Sequence, residues 1–245
     1  MSELIWLYKT DSTNRYLKER RTLPHGTACA TDRQTAGRGR LGRTWDAPAG
    51  KTLALSVLLH IGVQPTLPLV CALVVADVLR ERTGADFRWK WPNDIVCGGR
   101  KVCGILCESV TEGDRLTMIA GIGVNLTQTE EELTAAGLPH AASVALLCGV
   151  ELAPQELAQA IVSRLLPTVQ TLCGEGFVPF AARYAAGCVT LGKEVCVHDT
   201  NGDVRLRGTA EAIDPDGSLL LRTADGALVR CAEGEVSVRG LYGYL

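Results

Sequence analysis

Apolar and polar residues follow two different periods along this chain, and the change of period divides it in two. An apolar stretch, Leu4-Ile5-Trp6-Leu7-Tyr8, is followed by Asp11-Ser12-Thr13-Asn14 and a helical run from Arg15 to Arg21, with a hydroxyl residue placed as N-cap. Ala28 to Thr31 reads as a short buried strand that leads into a Gly- and Arg-rich loop, Gln34 to Gly50, and Thr52 to His60 reads as a longer strand. From Pro68 to Arg82, apolar residues at 69, 72, 73, 76 and 79 recur at helical spacing, with Gly84 placed to end the helix. Phe87 to Trp91 alternates as a strand and stops at Pro92. The Gly98-Gly99 turn then joins Val96-Cys97 to the strand Lys101 to Val110, and Leu116 to Val124 supplies another. Helices are expected over Glu130 to Ala136, Ser143 to Leu147, Pro154 to Leu166 and Phe177 to Ala186. Helices mixed with hairpin-linked strands predict an α+β domain on a mixed sheet, not a doubly wound one.

Past Gly187 the period shortens. Glu194 to Val197, Val204 to Ala210, Ser218 to Arg222, Leu228 to Cys231 and Val236 to Arg239 alternate as short strands, separated by turns such as Asp214-Pro215-Asp216-Gly217. That pattern predicts a small SH3-like β-barrel, and the boundary falls at residue 187, giving domains 1–187 and 188–245.

Charge sharpens this picture by exclusion. With a formal net charge of −2, the chain carries no overall basic field, so broad electrostatic binding to nucleic acid or an anionic membrane is not expected. The N-terminus lacks the apolar core of a signal peptide, and no apolar run reaches the roughly 18 residues of a membrane span. Ten cysteines without any CxxC pair predict reduced thiols in a soluble, cytoplasmic protein. Four scattered histidines argue against a zinc site or a His-based triad, and no protein metal site is expected.

The candidate chemistry lies in five polar clusters. Asp11-Ser12-Thr13-Asn14 offers hydroxyls, an amide and free backbone N–H groups at a helix start. Gln34 to Trp45 interleaves Arg38, Arg40 and Arg43 with Gly37, Gly39 and Gly42, a cationic loop whose backbone can approach anionic oxygens. It matches G-x-G-x-x-G, but Pro48, Gly50 and a strand follow instead of a helix, so a dinucleotide fold is excluded by context. The others are Lys90-Trp91-Pro92-Asn93-Asp94, Lys101-Val102-Cys103-Gly104-Ile105-Leu106-Cys107-Glu108, and Gly121-Ile122-Gly123-Val124-Asn125.

In order and spacing, this set resembles the catalytic core of the biotin protein ligases: a GRGRxGR loop, a KWPND turn, a Lys-x-x-Gly-Ile-Leu strand and a GxGxN segment. The resemblance spans Thr10 to Leu126 by motif and implies the biotin/lipoate ligase fold with an appended C-terminal barrel. It also implies the reaction. Biotin and ATP, with Mg²⁺ carried by the phosphates, give biotinyl-5′-AMP, and biotin then passes to a lysine of a biotin carboxyl-carrier protein. A homodimer is a further partner the resemblance allows.

Carried over residue by residue, the resemblance implies that Ser12, Thr13, Asn14 and Gln34 meet the uncharged ureido head of biotin. Arg38, Gly39 and Arg40 close over biotin and phosphate, and Gly37, Arg43 and Trp45 complete that loop. Lys101 stands near the biotin carboxylate and α-phosphate, while Lys90, Asn93, Asp94 and Asn125 surround the nucleotide and acyl-phosphate. Where family members often carry another Arg, this chain has Leu41. Clustered cations suit the joining of a carboxylate to anionic ATP, and no enzyme nucleophile is required. Asp94 is the candidate for orienting the acceptor amine, whose pKa is ordinarily near 10.4. The loop's three glycines predict a segment that folds over the adenylate. The Ser-Thr-Asn segment begins at residue 12, which predicts a ligase without the N-terminal DNA-binding domain of some relatives. Two alternatives stay open on sequence: a lipoate or octanoate ligase or transferase of the same fold, and a nucleic-acid-binding module using the Arg loop and barrel.

Overall fold

The computed structural model describes residues 3–45, 47–113, 115–199, 203–232 and 237–240. In chain order its elements are β1 (Leu4–Trp6), α1 (Thr13–Lys18), β2 (Ala28–Thr31), β3 (Gly37–Arg38), β4 (Thr44–Trp45), β5 (Thr52–Leu59), α2 (Leu67–Thr83), β6 (Phe87–Lys90), β7 (Asp94–Cys97), β8 (Arg100–Glu112) and β9 (Arg115–Asn125). There follow α3 (Glu130–Ala135), α4 (Val144–Cys148), α5 (Pro154–Glu175), α6 (Val178–Gly187), β10 (Glu194–His198), β11 (Val204–Ile213), β12 (Leu219–Arg222), β13 (Leu228–Cys231) and β14 (Ser237–Gly240).

A seven-stranded sheet runs in the order β1-β2-β5-β9-β8-β7-β6. Its β1–β2 pair is parallel and the others antiparallel, so the sheet is mixed, as the sequence predicts. Gly98 and Gly99, at φ 56° and 76°, make the tight turn from β7 to β8, where the left-handed conformation disfavours other residues. Along β5 the side chains divide by parity. Leu53, Leu55, Val57 and Leu59 enter the large core with α2 and α5, whereas Leu58 joins Leu17, Cys29 and Ile119 beneath α1.

The helix expected to end at Leu166 extends to Glu175, with Pro167 inside it. Proline removes one backbone bond, but Val169 and Leu172 continue the buried apolar stripe and hold the extra turns against the core. The first helix is also shorter at its end than Arg21, stopping at Lys18; Ser12 Oγ caps it by accepting from Arg15 N–H at 3.4 Å.

The C-terminal strands form one antiparallel sheet, β13-β12-β11-β10-β14, among the described residues, with β13 and β14 at its edges. Of the final strand expected over Val236 to Arg239, Val236 lies outside the described residues, as do Thr200, Asn201 and Gly202 of the first turn. Trp91 ties this sheet to the large one, and Trp89 ties the large sheet to α6. Trp91 Nε1–H donates to Gly217 O at 3.0 Å and Trp89 Nε1–H to Tyr184 O at 2.7 Å. Trp91 N–H also donates to Thr190 Oγ1 at 2.9 Å.

Candidate active site

On the sheet face that carries α1, five of the residues aimed outward beyond the helix are small. Ala54 and Ser56 on β5, Gly104 on β8, and Gly121 and Gly123 on β9 leave a hollow where larger side chains would stand. A Cβ at Gly121 would lie 2.3 Å from Asn14 Oδ1, and one at Gly123 would lie 2.5 Å from the Trp45 ring. The glycines are therefore required by what lies on them. The groove above this floor has a volume of about 490 Å³.

At one end the groove is polar and uncharged. The first turn of α1 presents Ser12, Thr13 and Asn14, and the chain after β2 presents Gln34. Thr13 N–H and Oγ1 both reach Gln34 Oε1, at 2.9 and 3.2 Å. Beneath them Ser56, wholly buried, places its hydroxyl 2.7 Å from Thr13 Oγ1 and 2.6 Å from Asn14 Oδ1. Asn14 Nδ2–H donates to Leu106 O at 3.2 Å and to Glu108 Oε2 at 2.7 Å, and Lys18 pairs with the other oxygen of Glu108. Neither Ser56 nor the Lys18–Glu108 pair was singled out from sequence. A serine alone among apolar residues from Leu53 to Leu59 was the available signal, because a buried hydroxyl requires a partner.

The middle is charged. Lys101 Nζ lies 2.5 Å from Asp94 Oδ1, and Lys90, only 6 % exposed, faces Asp94 across the β6–β7 pair. Arg40 reaches down from the Arg loop to Asn93 Oδ1 at 3.2 Å, while Asn93 Nδ2–H donates to Ile105 O at 2.7 Å. Two of the five clusters thus meet at one hydrogen bond.

The Arg loop is a short hairpin, β3 against β4, with a 3₁₀ turn over Arg40–Gly42 between them. Gly39 N–H donates to Arg43 O at 2.7 Å and closes it, and Leu41 occupies the left-handed region at φ 55°. The hairpin lays Trp45 across Gly104 and Gly123, with its Nε1–H buried and unpartnered and Lys101 Nζ 5.6 Å from the ring centroid. Arg38, Gly39 and Arg43 line the groove. Gly37 stands behind the wall: a Cβ there would lie 2.4 Å from Trp45 O and 2.6 Å from Gln34 Nε2, so its part is to let β4 pass.

At the far end the rim is Gly137-Leu138-Pro139-His140-Ala141, between α3 and α4, a segment that carries no recognisable motif. Asn125 lies beside it with its amide committed: Nδ2–H donates to Ala142 O at 3.1 Å, and Oδ1 accepts from Gln128 at 3.0 Å. Burial pushes the Cys29 thiol up to about 12 and the Cys103 thiol up as well, so neither is ionised near neutral pH. Among the described residues, no group of three His, Cys, Asp or Glu could hold a metal ion. None of their helices is long and apolar enough to cross a membrane.

Comparison with known proteins matches this arrangement. The sequence profile of the biotin/lipoate A/B protein ligase family matches residues 6–125, and that of the biotin protein ligase C terminal domain matches residues 190–239. The chain is 33 % identical over 237 residues to the bifunctional ligase/repressor BirA of Escherichia coli, covering 94 % of this chain and 72 % of that protein. It is 33 % identical over 231 residues to the biotin–[acetyl-CoA-carboxylase] ligase of Paracoccus denitrificans, covering 91 % and 95 %. The biotin protein ligase of Aquifex aeolicus in complex with biotin and ATP superposes with a TM-score of 0.84 at 32 % identity, over 98 % of this chain and 100 % of that one. The chain belongs to the biotin protein ligases, within the biotin/lipoate A/B protein ligase family.

Proposed function

We propose that this protein joins biotin to ATP as biotinyl-5′-AMP and transfers biotin to a lysine of a biotin carboxyl-carrier protein, with the work divided along the groove. The observation that carries this division is the meeting, in one hollow, of a neutral polar end and a cationic middle. A urea has a carbonyl that accepts and N–H groups that donate but no charge, which suits Ser12, Thr13, Asn14 and Gln34. With the ureido head there, the apolar floor leads the valeryl tail toward Lys101.

Lys101, Arg40 and Lys90 then surround the point where the biotin carboxylate meets the α-phosphate. Their fixed charges oppose the repulsion between two anions and stabilise charge that builds on phosphorus, with Mg²⁺ arriving on the nucleotide. The carboxylate oxygen bonds to phosphorus and pyrophosphate leaves. Asn93 fixes Arg40 at this point, and Arg38, Gly39 and Arg43 cover it. The nucleoside extends toward Leu138-Pro139-His140, the remaining wall of the groove. In the second step the acceptor amine attacks the acyl carbonyl and AMP leaves, and Asp94 orients that amine and receives its proton. The free state of all ten cysteines supports a cytoplasmic setting.

Two measurements test this reading. Wild-type protein incubated with ATP and Mg²⁺ should release pyrophosphate with biotin and not with lipoate. Asp94→Ala should form adenylate yet transfer biotin about 100-fold more slowly, the lower range for a lost general base. Adenylation and transfer both at wild-type rates would remove Asp94 from the mechanism.

A further inference from the structure

The rim at the nucleotide end is tied to β8 on both sides of Lys101. Lys101 N–H donates to His140 O at 2.9 Å, and Ala142 N–H donates to Lys101 O at 2.8 Å, making a parallel bridge. The carbonyl between them, Ala141 O, accepts from the side chain of the preceding residue, Arg100, at 2.6 Å from Nη2 and 3.1 Å from Nε. The same guanidinium forms a two-pronged pair with Glu130, at 2.8 and 2.9 Å, where α3 begins. Arg100 thus joins the start of β8, the start of α3 and the strap 137–142. It does not itself line the groove, whereas Leu138, Pro139, His140 and Ala141 do.

We propose that Arg100 is a positioning residue for the nucleotide: its guanidinium, by tying Ala141 O to Glu130, holds the strap that the base of ATP rests on in register with Lys101. This rests on the reading of the groove as a biotin and ATP site. The planar fork is what the task needs, since one guanidinium serves a carbonyl and a carboxylate at once, and an ammonium on a single stem serves them less well. An ion pair that only decorated the surface would behave differently. Arg100 and Glu130 are 27 % and 50 % exposed, and exposed pairs add little to stability, so their loss would leave both substrates' kinetics alone.

The test is steady-state pyrophosphate release by the full chain, with ATP varied at saturating biotin and biotin varied at saturating ATP. Arg100→Ala should raise KM for ATP about tenfold and leave KM for biotin within about twofold, the signature of lost uniform binding to one substrate. Arg100→Lys and Glu130→Gln, which each keep part of the clamp, should raise KM for ATP about threefold. An unchanged KM for ATP, or equal rises for both substrates, would overturn the proposal. If Arg100→Ala is unfolded by circular dichroism, the other two variants decide by the same split. Wild-type protein that released no pyrophosphate with biotin would instead overturn the reading of the groove, and the clamp with it.

Discussion

Replacing Ser56 with alanine removes a single oxygen from the floor of the groove and leaves the strand intact. Asn14 Nδ2 is committed to Leu106 O and Glu108, so Asn14 Oδ1 faces Ser56 and takes its hydroxyl proton at 2.6 Å. Asn14 is only 7 % exposed, so the variant strands a buried carbonyl oxygen without a donor. Leaving such an acceptor unmade costs about 1–3 kcal/mol. In a chain of this size each kcal/mol lowers Tm by about 2–4 °C, so a fall on the order of 5 °C is expected by thermal unfolding. With one anchor lost from each side chain, Asn14 and Thr13 should also hold the ureido group in poorer register, raising KM for biotin about tenfold, equivalent to about 1.4 kcal/mol, with KM for ATP unchanged. Asn14→Ala takes the amide from Leu106 O and Glu108 with or without Ser56, but in the double variant no Asn14 oxygen is left without its donor, so it should cost less than the sum of the singles. A Tm within about 1 °C of wild type, or strict additivity, would show that the buried hydroxyl carries none of this load.

Two further outcomes follow from the same geometry. Gly123→Ala puts a methyl 2.5 Å from the Trp45 indole, so the ring must leave the sheet, and tryptophan emission should shift to longer wavelength; unchanged emission would show that the hairpin does not rest there. Glu81, Glu132 and Glu211 are held below their ordinary value of 4.5 by hydrogen bonds from Arg164, Lys51 and Arg222. Carboxylates depressed in the folded state add stability above their unfolded pKa and lose it as pH falls through the folded values, so the urea midpoint should hold from about pH 7 to 5 and fall below about 4.5. A midpoint still unchanged at about pH 3.5 would contradict that assignment.

The pieces of the groove legible in sequence were those whose chemistry is local. Arg38, Arg40 and Lys101 could be read as an anion site because charge near glycine has few structural uses, and each lines the groove. The hairpin form of the Arg loop was not legible, since β3 and β4 are two residues each and the strand period needs more length than that. The rim at 137–141 was invisible for another reason. Its contribution comes from backbone carbonyls bonded to Lys101, Arg100 and Asn125, and any residue type supplies a carbonyl. Asn125 shows the converse: its position lines the groove as expected, yet its amide serves the strap.

The two tryptophans of the Lys90 cluster explain how so small a C-terminal sheet bears on the chemistry. Lys90 sits between Trp89 and Trp91, and both indole N–H groups bond to structure that comes later in the chain. Trp89 is bonded to the last turns of α6, and Gly187 leaves room for its ring, which a Cβ would approach to 2.4 Å. Trp91 reaches the turn between β11 and β12 at Gly217, and its N–H is held by Thr190. The turn that carries Asn93 and Asp94 is therefore clamped from behind by Tyr184, Thr190 and Gly217. Asp94 can meet Lys101 at 2.5 Å, and Asn93 can receive Arg40, because that clamp fixes the turn before any ligand contact is made. On this geometry the C-terminal sheet braces the KWPND turn through Gly217, and under the proposed mechanism losing that brace would act on biotin transfer through the placement of Asp94.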